Sequence, residues 1–338
     1  MSVEAITETI SMIDSPYHGR RGVLATYLIR GEKAAVIDPG PAPLVPGLIE
    51  ALEATGVTHL DYILLTHIHL DHAAGCWKML EAYPDATIHC HPRGAGHLID
   101  PKRLLAAAGE IYGDALTEFG EVRGVPAERV AESTDGETLD LGGVSLETIW
   151  TPGHSSHSQS YYEPASGVVF VGDAAGHYPG NKGVLVPGAP PPHNPAQAAD
   201  SLLKLMSYEP KIIAYSHFVF YDEAMARLGR FLDQTRLWDR VAQDGVEEDL
   251  SLNDIFDLLV EEDPEARELA GIDEEGKRAV LLQPEELRRL CEMAEKVSVS
   301  GSPRAVFGAA FRPLTRLKKG KKIRKIDSTI NSWPPLGV

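Results

Sequence analysis

Over roughly the first two thirds of the chain, apolar positions gather in short runs separated by Gly, Pro and Asp, a pattern of strands interleaved with short helices. Residues 22–30 and 33–37 are two such runs, and Gly31-Glu32 between them has the composition of a hairpin turn. Asp38-Pro39-Gly40 stops the second run. Residues 44–54 carry helical spacing, 61–65 form a compact strand, a helix follows over about 73–83, and 87–90 is another strand. The stretch 102–119 reads as mostly helical. Strand character returns at 144–150, 160–163 and 168–171, and 211–215 closes the series. Residues 195–208 form a helix with Asn194 as N-cap and Pro195 in its first turn. From Asp222 onward the pattern turns helical. Ser251-Leu-Asn-Asp254 before the apolar run 255–260 has the form of a helix start, and 281–297 is a further amphipathic segment. Residues 188–195 are proline-rich and read as a rigid surface loop. The order predicts a mixed body over 1–221, a helical region over 222–300 and a basic tail over 301–338.

Composition narrows the class. The chain has 338 residues, 43% hydrophobic and 24% charged, enough to bury a full core and remain soluble. No apolar run approaches a membrane span, and the first eight residues lack the basic start and apolar stretch of a signal peptide. A cytoplasmic protein is expected. Cys76, Cys90 and Cys291 show no metal-binding spacing and fit buried thiols in a reducing compartment. Net charge is −17, yet Arg316, Lys318, Lys319, Lys321, Lys322, Arg324 and Lys325 crowd into the tail, so the rest is more acidic than the total. An acidic body repels phosphates, which disfavours nucleic acid as a partner. Residues 246–275 are strongly acidic and read as a solvated helical face. The tail suits lipid head groups, nucleic acid, the acidic stretch of a neighbouring subunit, or a merely solubilising end.

One stretch concentrates chemistry. His67, His69, Asp71 and His72 occupy six residues just beyond an apolar strand. Imidazole and carboxylate suit zinc, iron, manganese or cobalt. Imidazoles so crowded disfavour each other's protonation, a cost that a bound cation removes. Three further strands each run into a sharp stop and one metal-capable side chain: His154 after Thr151-Pro152-Gly153, Asp173 after Gly172, and His217 after Ser216. Layered folds place their sites at such strand ends.

With these residues the chain resembles the metallo-β-lactamase superfamily, whose signature is His-x-His-x-Asp-His followed by lone His, Asp and His residues. The resemblance spans roughly residues 1–220. It implies an α+β fold, a four-layer αββα sandwich with the site at one edge, here followed by a C-terminal helical extension. By position, His67, His69 and His154 resemble the ligands of a first metal. Asp71, His72 and His217 resemble those of a second, Asp173 the bridging carboxylate, and Asp38 the acid that orients a histidine ligand. Two divalent ions per chain are implied, zinc foremost, with iron or manganese as alternatives. His91, His97 and Tyr178 are candidate substrate contacts, whereas His89, His157, His177 and His193 read as hydrogen-bonded or exposed.

The implied chemistry is hydrolysis by a hydroxide bridging the metals, with Asp71 orienting it and moving its proton. The substrate would be a small carboxylic ester, lactone or thioester, with a phosphoester as a further option. The family also contains a rival chemistry, a mononuclear iron sulfur (persulfide) dioxygenase using two histidines and one aspartate. Residue identity does not separate the two. The helical region would cover the pocket or form a homodimer contact.

Overall fold

Successive residues of β3 (Arg20–Arg30) and β4 (Ala34–Ile37) alternate between two apolar environments, which is why each reads as an unbroken apolar run. The computed structural model describes residues 1–17, 19–177, 185, 193–263 and 265. In it Ala25, Tyr27, Ile29, Ala35 and Ile37 join a core shared with a second sheet, while Leu28 and Val36 join a core shared with helices.

The first sheet has seven strands in the order β1 (Ser2–Ala5), β2 (Ile10–Tyr17), β3, β4, β5 (Tyr62–Leu64), β6 (Thr87–Cys90) and β7 (Val130–Glu132). Strands β1 to β4 run antiparallel, and β4 to β7 run parallel. The second sheet has six: β8 (Thr138–Asp140), β9 (Ser145–Trp150), β10 (Gln159–Glu163), β11 (Val168–Gly172), β12 (Ile212–Tyr215) and β13 (Val219–Tyr221). They lie in sequence order, and only β11 and β12 pair in parallel. Tyr27, Tyr161 and Phe170 fill the space between the sheets, and the Tyr27 hydroxyl donates to the Tyr215 carbonyl at 2.6 Å, so that its polar atom is satisfied.

Helices α1 (Val45–Ala54), α3 (Cys76–Ala82) and α4 (Pro92–Ile99) cover the outer face of the first sheet. Helices α6 (Pro195–Met206) and α7 (Ala224–Glu247) cover the outer face of the second through Leu202, Leu205, Leu228 and Phe231. The result is the four-layer α+β sandwich, αββα. Helix α8 (Leu252–Glu262) opens with the capping box formed by Ser251 and Asp254, and Asn194 caps α6 by accepting from the Gln197 N–H.

α4, β7, β8 and β13 are additions to the expected pattern, and two expected segments take a different form. The helix expected over 73–83 is broken into α2 (Leu70–Ala73) and α3, because Gly75 lies against Gly40. The Gly75 N–H donates to the Gly40 carbonyl at 2.8 Å, and a Cβ there would stand 2.7 Å from that oxygen. Helix α5 (Lys102–Tyr112) ends at Gly113, whose φ of 53° gives way to a 3-10 stretch, Gly113–Phe119. Among the described residues no helix is long and apolar enough to cross a membrane. Cys291, the amphipathic segment 281–297, the basic cluster 316–325 and most of 188–195 lie outside the described residues.

Candidate metal centre

Every expected ligand lies where a strand of one of the two sheets gives way to a loop. β5 runs into the loop carrying His67 and His69, and Asp71 and His72 follow in α2. His154 comes shortly after β9, Asp173 directly after β11, and His217 two residues after β12. Gly153 permits the turn before His154. Its φ is 145°, and a Cβ would lie 2.4 Å from Ala198 Cα in α6.

The seven side chains meet. His69 Nδ1 is 2.9 Å from His67 Nε2 and 3.0 Å from His154 Nε2. Three ring nitrogens so placed are close to the ~3.4 Å edge of a tetrahedron with ~2.1 Å metal–nitrogen bonds. On the other side Asp71 Oδ2 is 3.4 Å from His72 Nε2 and 3.2 Å from His217 Nε2. Asp173 Oδ2 lies between the groups, 3.6 Å from both His72 Nε2 and His154 Nε2, 3.4 Å from His217 Nε2 and 4.0 Å from His67 Nε2. His67 with His69 and His154, His67 with His72 and Asp173, and Asp71 with His72 and His217 each form a group whose ligand atoms lie within 4.8 Å of one another.

Asp38 organises the site from beneath. It is buried, with a φ of 52°, and its Oδ2 accepts from His72 Nδ1 at 2.9 Å, Thr66 Oγ1 at 2.7 Å and Ser216 Oγ at 2.7 Å. Since the Thr66 hydroxyl proton is committed to Asp38, His67 Nδ1 donates to Thr66 Oγ1 at 3.1 Å. With a metal ion bound, both imidazoles would keep their proton on Nδ1 and present Nε2 to it.

The electrostatics favour a cation. Burial chiefly holds His67, His69 and His154 below the usual histidine range, His69 to about 4 and His154 to about 3. They are neutral donors near pH 7. Burial would lower His72 and His217 as well, but Asp71 and Asp173 overcome it, raising His72 well above its usual value and His217 to about 9. Burial likewise works to raise Asp71 and Asp173, yet the facing imidazoles hold both well below the carboxylate range. The acids thus draw positive charge into a buried space. His72 Nε2 and Asp173 Oδ1 are buried there without a hydrogen-bond partner, a costly state that a metal ion relieves. The donor set fits divalent metal ions.

The other expected residues are less central. His91 caps α4, accepting from the Arg93 N–H at 3.1 Å, and its ring packs on Trp150 at 4.4 Å between centroids. His97 lines a hollow beside Ile68 and Leu70. Tyr178 lies outside the described residues. His89 is hydrogen-bonded, 2.6 Å from Glu137 Oε1. His157 and His177 stand nearer the centre than the sequence indicated. The His157 ring lies 5.6 Å from that of His69 and the His177 ring 5.3 Å from that of His217, and burial lowers them to about 3 and about 4. Tyr17 and Glu118 escaped sequence reasoning altogether, because packing rather than any motif brings them beside Asp71.

A family model described as the metallo-beta-lactamase superfamily matches residues 18–217. The chain belongs to the metallo-beta-lactamase superfamily. Among similar members, a metallo-beta-lactamase fold-containing protein of Sulfurisphaera tokodaii is 29% identical over 200 residues, 58% of this chain and 72% of that one. A protein of Aeromonas hydrophila named hydroxyacylglutathione hydrolase is 30% identical over 190 residues, 56% of this chain. The match spans only 58% of that hydrolase's length. The crystal structure of an archaeal metallo-beta-lactamase superfamily protein from Sulfolobus tokodaii superimposes with a TM-score of 0.59 at 26% identity, covering 68% of this chain and 86% of that one.

Proposed function

We propose that this superfamily member is a dinuclear metal-dependent hydrolase acting on a carboxylic ester, lactone or thioester, with a phosphoester as a further option. His67, His69 and His154 would hold one divalent ion, Asp71, His72 and His217 a second, and Asp173 would bridge them. Zinc suits the donor set best, with iron or manganese as alternatives. One observation carries the reading: seven donors from two sheets converge, and two of their atoms are buried there unpartnered. The hydrolase name of the Aeromonas relative supports an acyl compound as the substrate.

Divalent ions at such a site make water acidic enough to ionise near neutral pH and polarise the carbonyl under attack. The chain's residues do the remainder. Asp38 fixes the tautomers of His72 and, through Thr66, of His67. Asp71, beside the cleft described below, orients the attacking water and carries its proton towards the departing alcohol or thiol as the acyl bond breaks. We assign residues 1–221 to catalysis and 222–300 to pocket cover or a dimer contact, with 301–338 a basic tail whose candidate partners include the acidic stretch of a neighbouring subunit. Removing residues 316–338 should then reduce oligomer size.

Elemental analysis of untreated protein, alongside a panel of lactones, thioesters, aryl esters and phosphoesters, tests the reading. Two equivalents of metal per chain are expected, with turnover lost to a chelator and restored by readdition. His69→Ala and Asp173→Ala should lose both metal and turnover, and full retention in either refutes the assignment. One iron per chain with persulfide-dependent oxygen uptake would replace hydrolysis by the dioxygenase reading.

A further inference from the structure

A cleft of about 220 Å3 opens onto Asp71 and His217, and its remaining walls come from segments outside the proposed metal centre. Tyr17 and Leu24 belong to the β2–β3 hairpin. Tyr112, Ala115, Glu118 and Phe119 belong to the end of α5 and the 3-10 stretch after it. Phe119 shares a small core with Leu70 and Ala74, and its ring meets Tyr112 edge-on at 5.0 Å. The far wall is thereby anchored on the short helix that carries Asp71.

Size and polarity say what such a space accepts. A dry hollow of about 150 Å3 holds a benzene ring, so about 220 Å3 suits a group on the order of six to eight carbons. Among the described residues the cleft has no lysine or arginine in its lining, whereas Glu118 and Asp71 are both acids. Burial, then Asp71 and Glu118, push the Tyr17 phenol up to about 12, leaving an uncharged wall over the working pH range.

We infer that this cleft binds an apolar, uncharged acyl group whose carbonyl faces Asp71 and His217, and that Glu118 selects against acyl groups ending in a carboxylate. The inference rests on the hydrolase reading for the carbonyl, while the chain-length and charge preference belongs to the cleft itself. Each methylene buried contributes roughly a three- to fourfold gain, equivalent to about 0.8 kcal/mol. Glu118 is exposed, so its repulsion is screened and amounts to severalfold discrimination.

The test uses the full-length, metal-loaded protein and two readouts. Saturation-transfer NMR follows binding of 2-butanone, 2-hexanone, 2-octanone and 7-oxooctanoate, ketones that hydrolysis does not consume. A pH-stat follows kcat/KM for methyl acetate, butanoate, hexanoate and octanoate, and for monomethyl adipate. Affinity and kcat/KM should climb together by three- to fourfold per methylene and level off near six to eight carbons. Ala115→Trp, at an exposed position that fills the cleft, should flatten most of the climb. Glu118→Gln should narrow the gap between the neutral and carboxylate-bearing probes at least threefold and leave the chain-length slope in place. A flat series in both readouts, a slope indifferent to Ala115→Trp, or a charge gap indifferent to Glu118→Gln overturns the inference. A ketone slope without turnover of any ester here or of any lactone, thioester or phosphoester in the panel sinks the hydrolase reading and leaves the cleft preference standing. Ester turnover with flat series does the reverse.

Discussion

Asp38 shows how much a single carboxylate organises. One oxygen accepts from a histidine and two hydroxyls, and the other accepts the Thr66 N–H at 2.8 Å. An amide in its place would turn a donor towards some of these groups and release the tautomers of His67 and His72. Asp38→Asn should therefore weaken metal binding about 10- to 100-fold, read by competition against a chelating dye, and unchanged affinity would refute the role. Gly153 is constrained differently, by space. With φ at 145° and Ala198 Cα 2.4 Å from where a Cβ would sit, Gly153→Ala must either strain the turn or displace α6. A loss of roughly 2–4 kcal/mol is expected in a urea titration, and a loss below about 1 kcal/mol would contradict it. At this scale the convergence of the candidate donors was legible, because four are close together in sequence and the rest each end an apolar run. Tyr17 and Glu118 were not, since neither belongs to a motif and only tertiary packing sets them beside Asp71.

The longer strands and the α6 cap were readable from apolar runs and an Asn-Pro start, whereas the three-residue strands β7, β8 and β13 went unread and α4 was hidden by Gly94 and Gly96 inside it. Tertiary contact also decided the break at Gly75, which no local propensity announces. Beneath the ligand loop, elements from both sheets are joined by a buried polar network. His89 on β6 lies 2.6 Å from Glu137 and 3.1 Å from the Tyr161 hydroxyl, and Gln159 on β10 donates to the Leu65 carbonyl at 2.9 Å. Burial outweighs Glu137 and holds His89 below the usual histidine value, so the folded state favours the neutral ring. The unfolded chain then binds more protons once the pH drops through about 6.5. The stability contributed is complete above that value and is lost as the pH falls towards the folded value. Denaturation midpoints at pH 7.5 and 5.0 should fall more for the wild type than for His89→Gln. Equal falls would show that His89 titrates alike in both states.

Across the whole molecule, the proposed ligands divide by sheet. His67, His69, Asp71 and His72 follow a strand of the first, and His154, Asp173 and His217 follow strands of the second. A mixed body was foreseeable from the alternation of strands and helices, and the four-layer arrangement only through the resemblance that the motif carries, while the cleft walls depend on how α5 and the hairpin fold over that edge. Ions held at the edge would clamp the two sheets together, and their binding free energy would become folding free energy. A site with free metal 1,000-fold above its Kd stabilises by about 4 kcal/mol, and for a domain of this size each kcal/mol moves Tm by roughly 2–4 °C. Stripping the metals should therefore lower Tm by roughly 10 °C or more. His217→Ala loses a ligand of one proposed ion but leaves His67, His69 and His154 intact, so it should retain part of the metal-dependent shift. Calorimetry with and without chelator checks both, and complete metal removal that moves Tm by less than about 2 °C would mean the sheets hold together without help from the site.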